Sequence, residues 1–340
     1  MIKTSEIGKF WKTLSAMTLV GFMFIGLTSA SASAATDHAK IVGPTQCTEC
    51  HKETGAIWES TPHFETFRKM PRNKKGREIA KNMGFKRIKA GSLCLDCHFT
   101  SQPKAKDKLK PIAGISCESC HGAGADYIKV HSSFSGKKKA EETTDEAKQR
   151  WVKSEAAGMI RPQKMYDWAK NCYACHTVPN EKLVNVGGHT AGSDFELVAW
   201  SQGKIRHNLW HTKTNDEAPE ARKRLMYVVG QAVELETSIA AVGKATEEKD
   251  YAIKMTARVN KAKDNFAKIA AVLDLPEIKA IAEQSAGVKL ALGDEGPLSA
   301  AAAEIGTLAR TIVEKYDGSK MAAIDSLLPS PDKYKGKPIK

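Results

Sequence analysis

Residues 213–340 contain neither cysteine nor histidine, and all eight cysteines lie between positions 47 and 175. That absence excludes thiolate and imidazole chemistry from the last third of the chain. Long apolar runs are also scarce. One, Leu14–Leu27, lies near the start, and no later segment reads as apolar enough to span a membrane. No cysteine stands near Ala34, which excludes a lipid-modified N-terminus there. Acidic residues are in deficit, 39 against 52 Lys and Arg, giving a net charge of +13 and a pI near 9.2. Aromatic residues are 7% of the chain and hardly interleave with the basic ones, which argues against single-stranded nucleic acid as a partner.

The N-terminus has the grammar of an export signal. Lys3, Lys9 and Lys12 precede the Leu14–Leu27 run, and small residues follow, ending in Ala32-Ser33-Ala34. As a helix that run covers about 21 Å, short of the roughly 30 Å hydrocarbon core. The expectation is a signal peptide over residues 1–34, cleaved near Ala34, and a periplasmic mature chain without a transmembrane segment.

The cysteines form four pairs of one spacing: Cys47/Cys50, Cys94/Cys97, Cys117/Cys120 and Cys172/Cys175. Histidine follows each pair at once, as His51, His98, His121 and His176. A disulfide framework suits an exported chain but gives those histidines no role, and a zinc-thiolate reading has the same defect. Covalent haem attachment accounts for both. Thiols at i and i+3 share a helical face, and the next imidazole becomes the proximal iron ligand. Four copies with no cysteine left over imply four covalently bound haem c groups.

The sixth ligand of each iron decides between carrier and catalyst. The remaining histidines are His38, His63, His131, His189, His207 and His211, all within residues 38–211. His63 (in W-E-S-T-P-H-F) and His131 (in A-D-Y-I-K-V-H) stand on helical stretches between motifs. His207, His189 and His211 are the further distal candidates, with His211 one helical turn from His207, and His38 is the weakest because it lies beside the processed end.

These elements resemble the cytochrome c-554 family, tetrahaem electron carriers known as partners of hydroxylamine oxidoreductase. The likeness rests on Q-C-T-E-C-H-K (46–52), Trp58 with His63, C-L-D-C-H (94–98), G-I-S-C-E-S-C-H-G-A-G (114–124) with His131 downstream, and C-Y-A-C-H (172–176), across roughly residues 44–211. It implies a mainly α fold wrapped around stacked haems with little regular sheet. It also implies that His131 serves the haem of Cys47/Cys50, His63 that of Cys117/Cys120 and His207 that of Cys172/Cys175, with the haem of Cys94/Cys97 lacking a sixth protein ligand. Two features depart from that pattern. His189 in G-G-H-T-A-G (187–192) and His211 are spare and either would close the second haem, and a long C-terminal region follows.

That region has helical apolar spacing. Leu225, Val228, Ala232, Leu235, Ile239 and Val242 step by threes and fours, as do Met255, Val259, Ala262, Phe266, Ile269 and Leu273, and then Ala301, Ile305, Leu308 and Ile312. Asn215/Asp216 with Pro219, and Asp274 with Pro276, mark helix starts. The expected organisation is a tetrahaem domain over 35–212, an antiparallel helical bundle over 213–325 serving as a cap or a docking module, and a flexible tail over 326–340.

Charge divides unevenly. The last 128 residues carry 20 basic and 19 acidic side chains, so nearly all the excess lies before them, and Arg68 to Lys89 holds ten Lys and Arg against Glu78. Such a field favours redox partner proteins acidic at the docking face. The functional expectation is electron transfer between partners through closely spaced haems. Alternatives are a haem enzyme reducing a small nitrogen or sulfur oxide at one open iron, or a subunit of a haem filament or outer-membrane conduit. Oligomeric state stays open.

Overall fold

The computed structural model describes residues 36–104, 108–209 and 213–339. The segment expected to be a signal peptide (1–34) and His211 lie outside the described residues.

Four long helices follow the last histidine: Glu220–Lys244, Asp250–Val272, Pro276–Gly287 and Glu295–Lys315. Their boundaries follow local chemistry. Pro219 stands just before the first, and Pro276 takes the first turn of the third, where a missing N–H costs nothing. The apolar stripes of the first two point inward as their spacing requires: Val228, Leu235, Ile239, Met255, Val259, Phe266 and Ile269 are fully buried. Each side chain of that size contributes about 1.5–3 kcal/mol through burial. In the fourth helix the buried line is Leu298, Ala302, Ile305, Ala309 and Ile312. Ala301 and Leu308, expected on that line, are half-buried, because they flank the stripe that Leu298, Ala302, Ile305, Ala309 and Ile312 turn inward.

Glu220–Lys244 is long and apolar enough to cross a membrane, contrary to the reading that no later segment is, but 89% of its apolar stretch is buried inside the protein. Its all-round apolarity has a local cause. One side meets the other bundle helices, and another meets the Met165–His176 helix, whose Met165, Tyr166, Ala169 and Tyr173 belong to the same core. The core thus crosses position 213 without interruption.

Ahead of the bundle the chain is a string of short helices. They include Pro44–Thr48, Lys52–Glu59, Pro62–Lys69, Lys74–Asn82, Ser92–His98, Cys117–His121 and Ile128–His131. Thr61 and Asn73 cap two of them, their side chains accepting from the N–H groups of Phe64 and Gly76. Among the described residues the sheet content is one antiparallel hairpin, Thr100–Lys104 with Lys108–Ala113, paired through Ser101 and Pro111. The fold is mainly α.

The end of the chain is anchored where the sequence suggests a loose tail. Lys335 N–H donates to Ala199 O (2.8 Å), Lys204 N–H donates to Lys335 O (2.9 Å), and Asn215 Nδ2 donates to Ile339 O (2.5 Å). Proline and lysine content disguises these contacts, because they are made by backbone atoms.

Candidate functional site: four histidine pairs

The second, third and fourth motifs lie within helices, so their thiols at i and i+3 share a face. In the first, Cys47 stands near the end of the Pro44–Thr48 helix, and Cys50 and His51 stand between it and the Lys52–Glu59 helix. Each proximal candidate faces one distal candidate. Ring centroids are 6.3 Å apart for His51–His131, 6.2 Å for His98–His189, 6.2 Å for His121–His207 and 6.4 Å for His63–His176. Two imidazoles bound through Nε2 to one metal, with bonds of about 2 Å, set their centres about 6.2 Å apart. The donor sets therefore fit iron held between two imidazoles.

Two of these partnerships reverse what the family resemblance implies. His63 faces His176 rather than His121, and His207 faces His121 rather than His176. Backbone packing explains both. His63 O accepts from Ile115 N–H (3.1 Å) and Thr66 Oγ1 (2.7 Å), so its carbonyl, not its ring, is turned to the third motif. His207 lies beyond the Leu197–Ser201 helix, just after a turn at residues 202–205 whose Lys204 N–H donates to Lys335 O. His189 stands against His98, supplying a sixth-position candidate to the second motif. His38 meets no second imidazole in any described contact; its Nδ1 lies 3.1 Å from Ser101 O.

Ring orientation is fixed through the other nitrogen. Nδ1 of His121 donates to Ile160 O (3.0 Å), of His131 to Tyr127 O (3.1 Å), of His189 to Thr190 O (2.8 Å) and of His207 to Ile205 O (2.8 Å); Nδ1 of His176 pairs with Ser193 Oγ (2.8 Å). Each such bond sets the tautomer and leaves Nε2 for a metal. His121 is held twice, since its O also accepts from Ile160 N–H (2.9 Å). Gly122 makes that approach possible: at φ +82°, its missing Cβ would stand 2.2 Å from Gly158 O.

Burial favours the neutral ring. It holds His98, His121 and His176 down to about 4, with a nearby imidazole adding to the effect in each, and lowers His51 and His63 as well. A neutral imidazole is the form that binds a metal. The thiols also approach one another across motifs. Cys47 and Cys117 stand near enough to shift one another's acidity, as do Cys97 and Cys175, so motif one adjoins motif three and motif two adjoins motif four. Among the described residues no three His, Cys, Asp or Glu side chains converge on one point as a metal cluster would require.

Several supporting residues carry no sequence signal. Glu118, inside the third motif and 2% exposed, accepts from Val42 N–H (2.9 Å), Gly43 N–H (2.7 Å) and Gly124 N–H (2.8 Å). Arg150 pairs with Glu142 through two bonds of 2.7 Å and donates to His131 O (2.5 Å). Phe195 stacks on the His176 ring at 4.4 Å.

Residues 46–122 match the family described as Cytochrome c554 and c-prime. The chain is also similar to cytochrome c-554 of Nitrosomonas europaea, 25% identical over 172 residues that cover 48% of this chain and 68% of that protein. The chain resembles a c-type cytochrome. No solved structure matches significantly. A c-type cytochrome binds haem c covalently and carries electrons; the family match, residues 46–122, takes in the first three C-x-x-C-H motifs, and the likeness to cytochrome c-554 covers about half of the chain.

Proposed function

We propose that this protein is an exported tetrahaem electron carrier with histidine on both faces of every iron. The observation that carries the reading is the set of four imidazole pairs with one spacing. Cys47 and Cys50 would hold the first haem between His51 and His131, Cys94 and Cys97 the second between His98 and His189, Cys117 and Cys120 the third between His121 and His207, and Cys172 and Cys175 the fourth between His176 and His63. Haem iron supplies a one-electron couple whose potential follows its axial ligands and surroundings. The chain's part is to fix each imidazole through Nδ1, exclude exogenous ligands and bring motifs close in the pairs one/three and two/four.

The docking partner is read as acidic. Between Arg68 and Lys89 every Lys and Arg except Lys89 is exposed, and the described acids beside them are few: Glu65 pairs with Lys69 (2.5 Å) and Glu78 with Lys75 (3.8 Å). The Lys74–Asn82 helix in this stretch leans on the second motif. Ala80 shares a small core with Leu95 and Phe99, and Asn82 Nδ2 donates to Gly187 O (3.2 Å) on the loop that bears His189. An anionic redox protein meeting this surface would reach the second haem first, steered by charge.

Intact and peptide masses of the exported protein test the cofactor reading. Four porphyrin additions, one per cysteine pair, and a start near Ala35 support it; fewer additions or a retained N-terminus overturn it.

A further inference from the structure

The C-terminal bundle reaches into the surroundings of one proximal histidine. Ser193 holds His176 at two points: its Oγ lies 2.8 Å from Nδ1, and its N–H donates to His176 O (2.9 Å). Ser193 is itself gripped from the bundle, where Arg258 Nη1 donates to Ser193 O (2.7 Å). Arg258 stands on the Asp250–Val272 helix and is paired with Glu234 of the Glu220–Lys244 helix. Nη2 donates to Glu234 Oε2 (2.8 Å), and Nε lies 2.7 Å from Oε1, close enough to ion-pair but off line for a hydrogen bond. Both side chains are largely buried, at 15% and 12% exposure, so water screens this pair weakly. The loop is shaped for the contact. Gly192, at φ +82°, lies where a Cβ would come 2.8 Å from Arg258 Nη1 and 2.9 Å from His176 O.

We infer that Glu234 and Arg258 are positioning residues for the haem of Cys172/Cys175, and that the bundle sets that haem's reduction potential through Ser193 and His176. The inference rests on the proposed ligation by His176. Two physical effects are separable. The Arg258–Ser193 bond holds the loop so that Nδ1–H has a neutral hydroxyl partner, which keeps the ring imidazole-like rather than imidazolate-like. The guanidinium adds a buried positive charge near the ring, which disfavours the ferric state, and Glu234 offsets part of it. A helical cap with no such link would leave the potential unchanged when either residue is altered.

The test is a spectroelectrochemical titration of the full-length holoprotein, with the fourth haem assigned by the wave displaced in His63→Met. Arg258→Gln removes the positive charge and shifts that haem alone to lower potential, by about tenfold in the oxidised-to-reduced ratio at fixed potential, which is 59 mV for one electron. Glu234→Gln shifts it the other way. Arg258→Lys recovers most of the wild-type value. Shifts of the same sign in Arg258→Gln and Glu234→Gln, a common shift of all four haems, or no shift in Arg258→Gln would overturn the inference. Should Glu234→Gln not fold, the Arg258→Gln and Arg258→Lys pair still decides. Failure of the cofactor reading is distinguishable, because the wild-type peptide bearing Cys172 and Cys175 would then carry no porphyrin mass, and failure of the ligation reading because His176→Met would then leave the low-spin spectrum and every wave as in the wild type.

Discussion

Glu118→Gln removes one charge and one acceptor from a place where three backbone N–H groups converge. The carboxylate is 2% exposed, and its bonds of 2.7–2.9 Å tie Val42 and Gly43, which lead into the first motif, to Gly124, which leaves the third. Bonds to a charged acceptor contribute about 1.5–3 kcal/mol each against about 0.5–1.5 for neutral ones. Glutamine keeps one oxygen, so Val42 and Gly124 retain a weakened acceptor at Oε1. Gly43 N–H then faces an NH2 group and loses its partner. One bond lost and two weakened amount to about 3–5 kcal/mol, and relief from burying a charge returns part of it. The expected loss is about 2–3 kcal/mol, a large share of the roughly 5–15 kcal/mol of a folded protein. Guanidinium unfolding followed by circular dichroism measures it, with the exposed Glu49→Gln as the control expected within about 0.5 kcal/mol. Hydrogen exchange at Val42, Gly43 and Gly124 should accelerate in the same variant. A midpoint unchanged from wild type, with those amides still protected, would refute the reasoning.

Other outcomes follow from the same geometry. His189→Ala should leave the second haem with an open face, so that one iron in four turns high-spin and binds nitric oxide while the wild type binds none. Reversing charge at Lys74, Arg77 and Lys81 together should slow reduction by an acidic donor at least about tenfold at low salt and flatten the salt dependence, read by stopped-flow absorbance. Glu146 caps the Thr144–Ala156 helix that presents Arg150 to His131, and the Lys137 ammonium, then the Thr143 N–H and hydroxyl, hold its carboxyl at about 2 against an ordinary 4.5. A depressed carboxyl stabilises the fold above its unfolded value, so the benefit is full above about pH 4.5 and fades as pH falls toward 2. The melting-temperature gap between wild type and Glu146→Gln should accordingly be full at pH 6, narrow from about pH 4.5 and close only as pH falls through about 2.

The covalent frame was legible because its chemistry is local. C-x-x-C-H needs one helical turn, and the bundle stripes need a period of 3.6, so both are written in consecutive residues. His189 was legible as a candidate for the same reason that it was ambiguous: a histidine in a glycine-rich loop has no periodicity to say which way it points. Partner choice lay beyond the sequence. Whether His63 serves the third or the fourth motif depends on the bonds that Ile115 N–H and the Thr66 hydroxyl make to its carbonyl, contacts 52 and 3 residues away. Glu118 and Glu49 look alike as acids within a motif, yet one is buried under three N–H donors and the other is exposed. Ser193, Glu234 and Arg258 are ordinary residues in sequence and meet because the Met165–His176 helix shares its core with the bundle.

Electron paramagnetic resonance of the fully oxidised protein, with spins counted against haem content, tests the four histidine pairs most directly. The pairs predict four low-spin ferric irons per chain and no high-spin signal. A high-spin component amounting to one iron or more would contradict closure of every haem by the partners named above.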